Sequence, residues 1–295
     1  METNKTLISD SNRSIYESRL QAEYIDHITG EALSFGNQFK KGGGQELKKK
    51  FWRTISSSRL CFDLYSWMAE EPEILSVRLE KKLPGIFSGG REVSPNMDAY
   101  FETEEDVFFI ESKYTETVKN NQYLSYQLPQ AYWKQTDVYK NSKGKDTFQP
   151  IIERYRNNNL VMDSFLEFIK CVSKEAAKEK EPSWFDAKQE TCHLIGIVFY
   201  AIIHHPTKPI HFYNVAANYK EDAFANWFRD KSEEMIRALL KAHFVETQFD
   251  YKLFSTRDFF IQNGFLDKTA FQSHNTVREL ISDPVLYDLS ENPIL

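Results

Sequence analysis

An acid stands at Asp98, and the triplet Glu111-Ser112-Lys113 follows with twelve residues between. Each lies on an apolar run: Met97 to Phe101 for the first, Val107 to Ile110 for the second. Runs of this length read as strands. Between them, Glu102-Thr103-Glu104-Glu105-Asp106 holds nothing apolar, which predicts a β-hairpin centred between Glu104 and Glu105. Counting outward from that tip pairs Thr103 with Asp106, Phe101 with Phe108, and Asp98 with Glu111. Directly opposed residues on neighbouring strands have Cβ atoms roughly 4.5–5.5 Å apart. Side chains two apart share a face, so Lys113 joins Glu111. Two carboxylates and one ammonium are thus expected on one patch of sheet.

Two such acids repel, and one stays protonated unless a cation lies between them. A hard divalent ion with oxygen ligands resolves the conflict, Mg²⁺ for preference. An ion of that kind beside a lysine suits attack of water on a phosphodiester. The metal neutralises phosphate charge and acidifies water, while the lysine orients that water or stabilises developing charge. The alternative is a solvated hairpin with decorative surface acids. Against it, the triplet ends a run that reads as a central strand, where unpaired charge is costly.

Asp98 with the spaced Glu111-Ser112-Lys113 resembles the bipartite signature of the PD-(D/E)XK nuclease superfamily. The proline usually next to the acid is displaced: Pro95 lies three residues before Asp98, and Met97 fills its place. The resemblance covers roughly residues 46 to 203. It implies a three-layer, restriction-endonuclease-like α/β core, with a central mixed β-sheet flanked by helices. It also implies Mg²⁺, or Mn²⁺ as substitute, held by Asp98 and Glu111, with Lys113 activating or positioning water. A further metal-binding acid is expected from the preceding helix, with Glu46 as candidate and Asp63 and Glu70 as rivals. On the helix after the triplet, Gln127, Gln130 and Tyr126 are accessory candidates. The basic residues Lys48, Lys49, Lys50 and Arg53, beside Trp52, become candidate phosphate contacts; otherwise they are a solvated face.

Composition bounds these readings. The chain has 295 residues, 41% hydrophobic and 27% charged, an ordinary globular mixture. Three cysteines without close spacing argue against a disulfide or zinc framework and for a reducing cytoplasm. No run nears the ~18 apolar residues of a membrane span, so no membrane partner is expected. The net charge of −6 is unusual for a protein that coats nucleic acid, so contact with DNA must be local. Double-stranded DNA is the expected substrate. Cutting both strands calls for two active sites, which a homodimer would supply.

The positioning elements follow from hydrophobic periodicity. Helices are predicted over 14–33, 57–71, 129–139 and 159–178, and one or two over 221–243, with a helical segment from Gln45. Residues 74–82 read as a strand or a last helical turn, and 86–93 as a bend. The run from His193 to Ile203 reads as a buried central strand, and His211 to Val215 as an edge strand. His204, His205 and His211 could bind zinc but lack the usual spacing. Gly42-Gly43-Gly44 lacks the Gly-Lys-Ser/Thr ending of a nucleotide-binding loop. The aromatics of 245–295 could stack bases but are expected to wrap the core. A single domain is predicted: a core over about 46–215, a helical arm over 1–45 and a helical, aromatic extension over 216–295. The leading reading is a restriction-like, Mg²⁺-dependent DNA endonuclease; the alternative is a non-catalytic nucleic-acid-binding or scaffold protein on the same fold.

Overall fold

The structure is a computed structural model that describes residues 7–41, 46–48, 51–52, 56–84, 86–88, 91–113, 159–176, 178, 185–217 and 219–273. At its centre is a five-stranded mixed sheet. The strands are Ser76–Lys82 (β3), Asn96–Glu102 (β6), Val107–Lys113 (β7), Ile210–Ala216 (β8) and Phe249–Ser255 (β9), in that spatial order. The first three form an antiparallel meander; β8 and β9 add in parallel to β7. Parallel neighbours need long crossovers, and helices lie in both of them.

Helices cover both faces. On one side, Asp10–Gln21 (α1), Phe35–Lys41 (α2) and Ser57–Tyr65 (α3) share a core with Ala99, Phe101, Phe108, Ile110 and Val215. Thr256–Gln262 (α7) and Thr269–Ser273 (α8) complete that layer. On the other side, Asn159–Ala176 (α4), Ala187–His204 (α5) and Ala223–Ala242 (α6) pack on Tyr100, Phe109, Phe212 and Tyr251. Every residue of β7 is buried, as expected of a strand covered on both faces.

The central hairpin has the predicted register. Phe101 pairs with Phe108 and Ala99 with Ile110, and the Phe101 and Phe108 rings stack at 4.5 Å. Thr103 makes the turn: its N–H donates to the Asp106 carbonyl at 3.0 Å, and its Oγ1 accepts from the Glu105 and Asp106 amides.

Four expectations are corrected. The run from His193 to Ile203 is helix α5, not a strand. An unbroken apolar run cannot distinguish a buried strand from a buried helix by period. The Asp186 cap decides it: its carboxylate accepts from the Gln189 amide at 3.0 Å and opens an 18-residue helix. Gly196 lets α5 sit close, because a Cβ there would lie 2.7 Å from Pro95 Cγ and 2.8 Å from Leu83 Cβ.

Strand β8 is interior rather than an edge, because β9 pairs along its outer side. The stretch after residue 245 therefore supplies a strand as well as packing aromatics: Phe249, Tyr251, Phe254, Phe259, Phe260 and Phe265 are all buried. Finally, the helix expected over 14–33 ends at Gln21, and Glu23–Ile25 (β1) pairs with Ala32–Ser34 (β2). Asp26 makes that turn, accepting from the Ile28 and Thr29 amides at 3.2 and 2.9 Å, with Gly30 at φ +72°. Its other oxygen accepts from Ser76 Oγ and Arg78 Nε, tying the turn to β3.

The remaining elements follow the reading closely. Residues 76–82 are strand, and a short hairpin of Ile86–Ser88 (β4) and Arg91–Val93 (β5) occupies the expected bend. Of the helical segment expected from Gln45, Glu46–Lys48 form one 3₁₀ turn, and Phe51 and Trp52 lie in a turn. The helix expected over 129–139 and the triple glycine lie outside the described residues.

Candidate functional site

Alternation along β7 turns Glu111 and Lys113 to the α5 side, together with Phe109, and turns Ser112 to the α3 side. Ser112 Oγ donates to the Tyr65 hydroxyl there at 3.2 Å. Lys113 Nζ donates to Glu111 Oε1 and to Gln189 Oε1, both at 2.6 Å. Gln189 Nε2 donates back to Glu111 Oε1 at 2.7 Å, which closes a three-membered ring. Glu111 and Lys113 are only 3% and 5% exposed. Burial alone would push the ammonium down, but Glu111 and then Glu190 outweigh it and hold the Lys113 pKa well above its ordinary value. Lys113 is therefore a fixed cation, not a proton acceptor near neutral pH.

The β6–β7 ladder ends at the Ala99–Ile110 pair, one residue short of Asp98 and Glu111. Asp98 Oδ2 accepts from the Ser112 amide at 2.8 Å, and the Asp98 carbonyl accepts from Cys61 Sγ at 3.1 Å. Burial, then Glu111, then Glu80 push its carboxyl well above the ordinary range, against Lys113 and the Ser112 amide. Glu80 is on β3, where the ladder passes from Leu79–Ala99 to Lys81–Met97 and skips it. Its φ of +54° is unusual for a residue with a Cβ.

Helix α5 brings two further groups. His193, one turn beyond Gln189, sets Nδ1 3.7 Å from Glu111 Oε2. Neither atom has a hydrogen-bond partner, and His193 is 2% exposed. Burial lowers the imidazole pKa, with Glu111 opposing. Glu190, fully buried, accepts from Asn214 Nδ2 at 2.8 Å and from the Tyr251 hydroxyl at 3.2 Å. Burial pushes its carboxyl up to about 8 despite Lys113. Asn214 stands opposite Glu111 on β8.

Of the three residues singled out in the sequence, Glu111 and Lys113 pair directly, and the Asp98 carboxylate is tied to the Ser112 amide between them. Glu46 falls in the 3₁₀ turn, its side chain outside the described part. The rival Asp63 is buried on the α1–α3 side, where Tyr16 OH donates to it at 2.8 Å and Arg19 at 3.5 Å; burial lifts its pKa to about 6. That is a packing role. Lys48 is exposed, while Trp52 is buried, its indole N–H donating to the Leu47 carbonyl at 2.6 Å. Gln127, Gln130, Tyr126, Lys49, Lys50 and Arg53 lie outside the described residues. His211 is held between Asp106 and Asp250. Sequence reading missed Gln189, Glu190, His193, Asn214 and Glu80. The available signal was Asp186 as a helix cap, with Gln189 and His193 at i, i+4 behind it.

Among the described residues, no three His, Cys, Asp or Glu side chains converge as a ready metal cage. Mg²⁺ needs less, since one or two carboxylates plus water and substrate oxygens suffice. The bare Glu111 Oε2 fits such an ion, and the charge of Glu111 acts on the Asp98 carboxyl. A cleft of 580 Å³ opens at the other end of the hairpin, lined by Thr103, Glu104, Glu105, Asp106 and Lys268 among others. It contains none of these groups, and chemistry locates a site better than cavity size.

Compared with known proteins, the chain matches no protein-family model, no curated protein and no solved structure.

Proposed function

We propose that the protein is a metal-dependent phosphodiesterase, a nuclease acting on DNA, with a restriction-endonuclease-like core. The observation that carries this reading is the buried Glu111–Lys113 pair at the end of the central hairpin, with the Asp98 carboxylate bound to the Ser112 amide between them. The strand order supports it: an antiparallel meander bearing the acids, then parallel strands, with helices on both faces.

In this reading Asp98 and Glu111 hold a divalent ion, Mg²⁺ or Mn²⁺. Bound there, such an ion would neutralise phosphate charge and lower the pKa of attacking water. Lys113, permanently charged, stabilises negative charge as it develops on the phosphate. Gln189 holds Lys113 and Glu111 Oε1 together, leaving Oε2 for the ion. The Ser112 amide fixes Asp98. Restriction-like cutting of double-stranded DNA by a homodimer, with local contacts such as Lys48, belongs to the same proposal. So does a cytoplasmic location, which three cysteines not joined in disulfides, Cys61, Cys171 and Cys192, support.

A second reading, a non-catalytic nucleic-acid-binding or scaffold protein, is favoured by one observation: no three-ligand cage forms among the described residues. The two separate in an assay of supercoiled plasmid and linear duplex with Mg²⁺ or Mn²⁺. The nuclease reading expects cleavage that Asp98→Ala abolishes and Lys113→Met abolishes. Equal cleavage by wild type and both folded variants, or none by wild type, defeats it.

A further inference from the structure

Two turns of α5 address the two oxygens of one carboxylate. Gln189 donates to Glu111 Oε1, and His193, four residues on, faces Oε2. Oε1 already has two donors, Lys113 and Gln189. Oε2 and His193 Nδ1 have none, although both residues are almost fully buried. The His193 ring hydrogen-bonds the Asn96 backbone. Since Nδ1 is bare, that bond belongs to Nε2–H, donating to the Asn96 carbonyl. In the neutral ring Nδ1 is then a lone pair, aimed at an anionic oxygen 3.7 Å away. Two buried acceptors face each other, an arrangement that costs free energy unless a positive centre lies between them.

The spacing selects among candidates for that centre. A water donating to both atoms would hold them roughly 4.4 Å apart at ordinary hydrogen-bond lengths. Two ligands of one metal ion, each at about 2.0–2.2 Å, span at most about 4.4 Å, and less as the angle between them closes. The observed 3.7 Å is short for the water and falls within the range for the ion. An imidazole nitrogen also discriminates between metals. Mg²⁺ takes oxygen ligands almost exclusively, whereas imidazole suits transition ions.

Building on the metal-site reading above, we propose that His193 Nδ1 and Glu111 Oε2 together ligate a divalent transition ion, so that the centre prefers Mn²⁺ to Mg²⁺. In that reading Asp98 is a further ligand, and the remaining positions go to water and to substrate oxygen.

The test uses the whole chain and Mn²⁺ alone, without DNA. Pulsed electron paramagnetic resonance of bound Mn²⁺ should show coupling to a directly bonded ¹⁴N. Labelling histidine with ¹⁵N should convert that coupling to the ¹⁵N pattern, which requires no mutation and so no question of folding. By calorimetry, His193→Gln should weaken Mn²⁺ binding at least about tenfold, the loss already typical of groups that merely orient a ligand. It should weaken Mg²⁺ binding much less. Bound Mn²⁺ with no nitrogen coupling, or with affinity unchanged in folded His193→Gln, overturns the proposal. If Glu111→Gln still abolishes binding in that case, the metal-dependent phosphodiesterase reading stands without His193. If wild type binds neither Mn²⁺ nor Mg²⁺, both fall together.

Discussion

Gln189 donates to the very oxygen of Glu111 that Lys113 holds, at 2.7 Å against 2.6 Å. Its own carbonyl accepts from the same ammonium. An amide can do this because it carries donor and acceptor on one planar group. The side chain thus bridges an anion and a cation that are two residues apart on β7.

Gln189 is accordingly a positioning residue. Gln189→Ala should cost about 1–3 kcal/mol in unfolding experiments, since buried partners lose a bond. It should also weaken metal binding by about 10–100-fold, as loss of a group that orients a ligand does. A merely structural role would lower the melting temperature and leave the metal affinity of the folded protein unchanged, so calorimetry on the folded variant decides.

The Glu111–Lys113 pair is buried on both sides, and removing one partner strands the other. Lys113→Met alone should destabilise by about 3–5 kcal/mol. The double variant Glu111→Gln, Lys113→Met carries no charge at either position and should recover most of that loss. It should nevertheless bind no divalent ion and cleave nothing. Urea unfolding of the three proteins tests the first point, and cleavage assays the second. A double variant as unstable as Lys113→Met would show that the pair is not what holds this end of β7.

Glu190 makes stability depend on pH. Burial raises its folded pKa from the ordinary 4.5 to about 8. Its contribution is therefore fully present below about pH 4.5, falls as pH rises, and is lost above about pH 8. Glu190→Gln keeps a neutral group between Asn214 and Tyr251 and removes the titration. The variant should match wild type at low pH and exceed it in melting temperature near pH 8–9, so the gap between them should open as pH rises. A gap independent of pH would mean that Glu190 is ionised throughout.

Part of the candidate site is legible in the sequence. The turn Glu102 to Asp106 is local chemistry, with Thr103 closing it on itself, and a hairpin's register follows from its turn. That register carries the strands as far as the Ala99–Ile110 pair, and the Asp98 carboxylate reaches the Ser112 amide beyond it. The side of the sheet that Glu111 and Lys113 occupy follows from alternation with Phe109 alone. Tertiary packing decided what meets them there. Gln189 lies 78 residues from Glu111 in sequence. Its place depends on whether an apolar run becomes a strand in the sheet or a helix upon it. Both bury the same side chains, so hydrophobicity is silent between them. The Asp186 cap, and the space that Gly196 leaves for Pro95 and Leu83, settle it as a helix. Only then do Gln189 and His193 reach the two oxygens of Glu111, and Glu190 its buried hydrogen bonds.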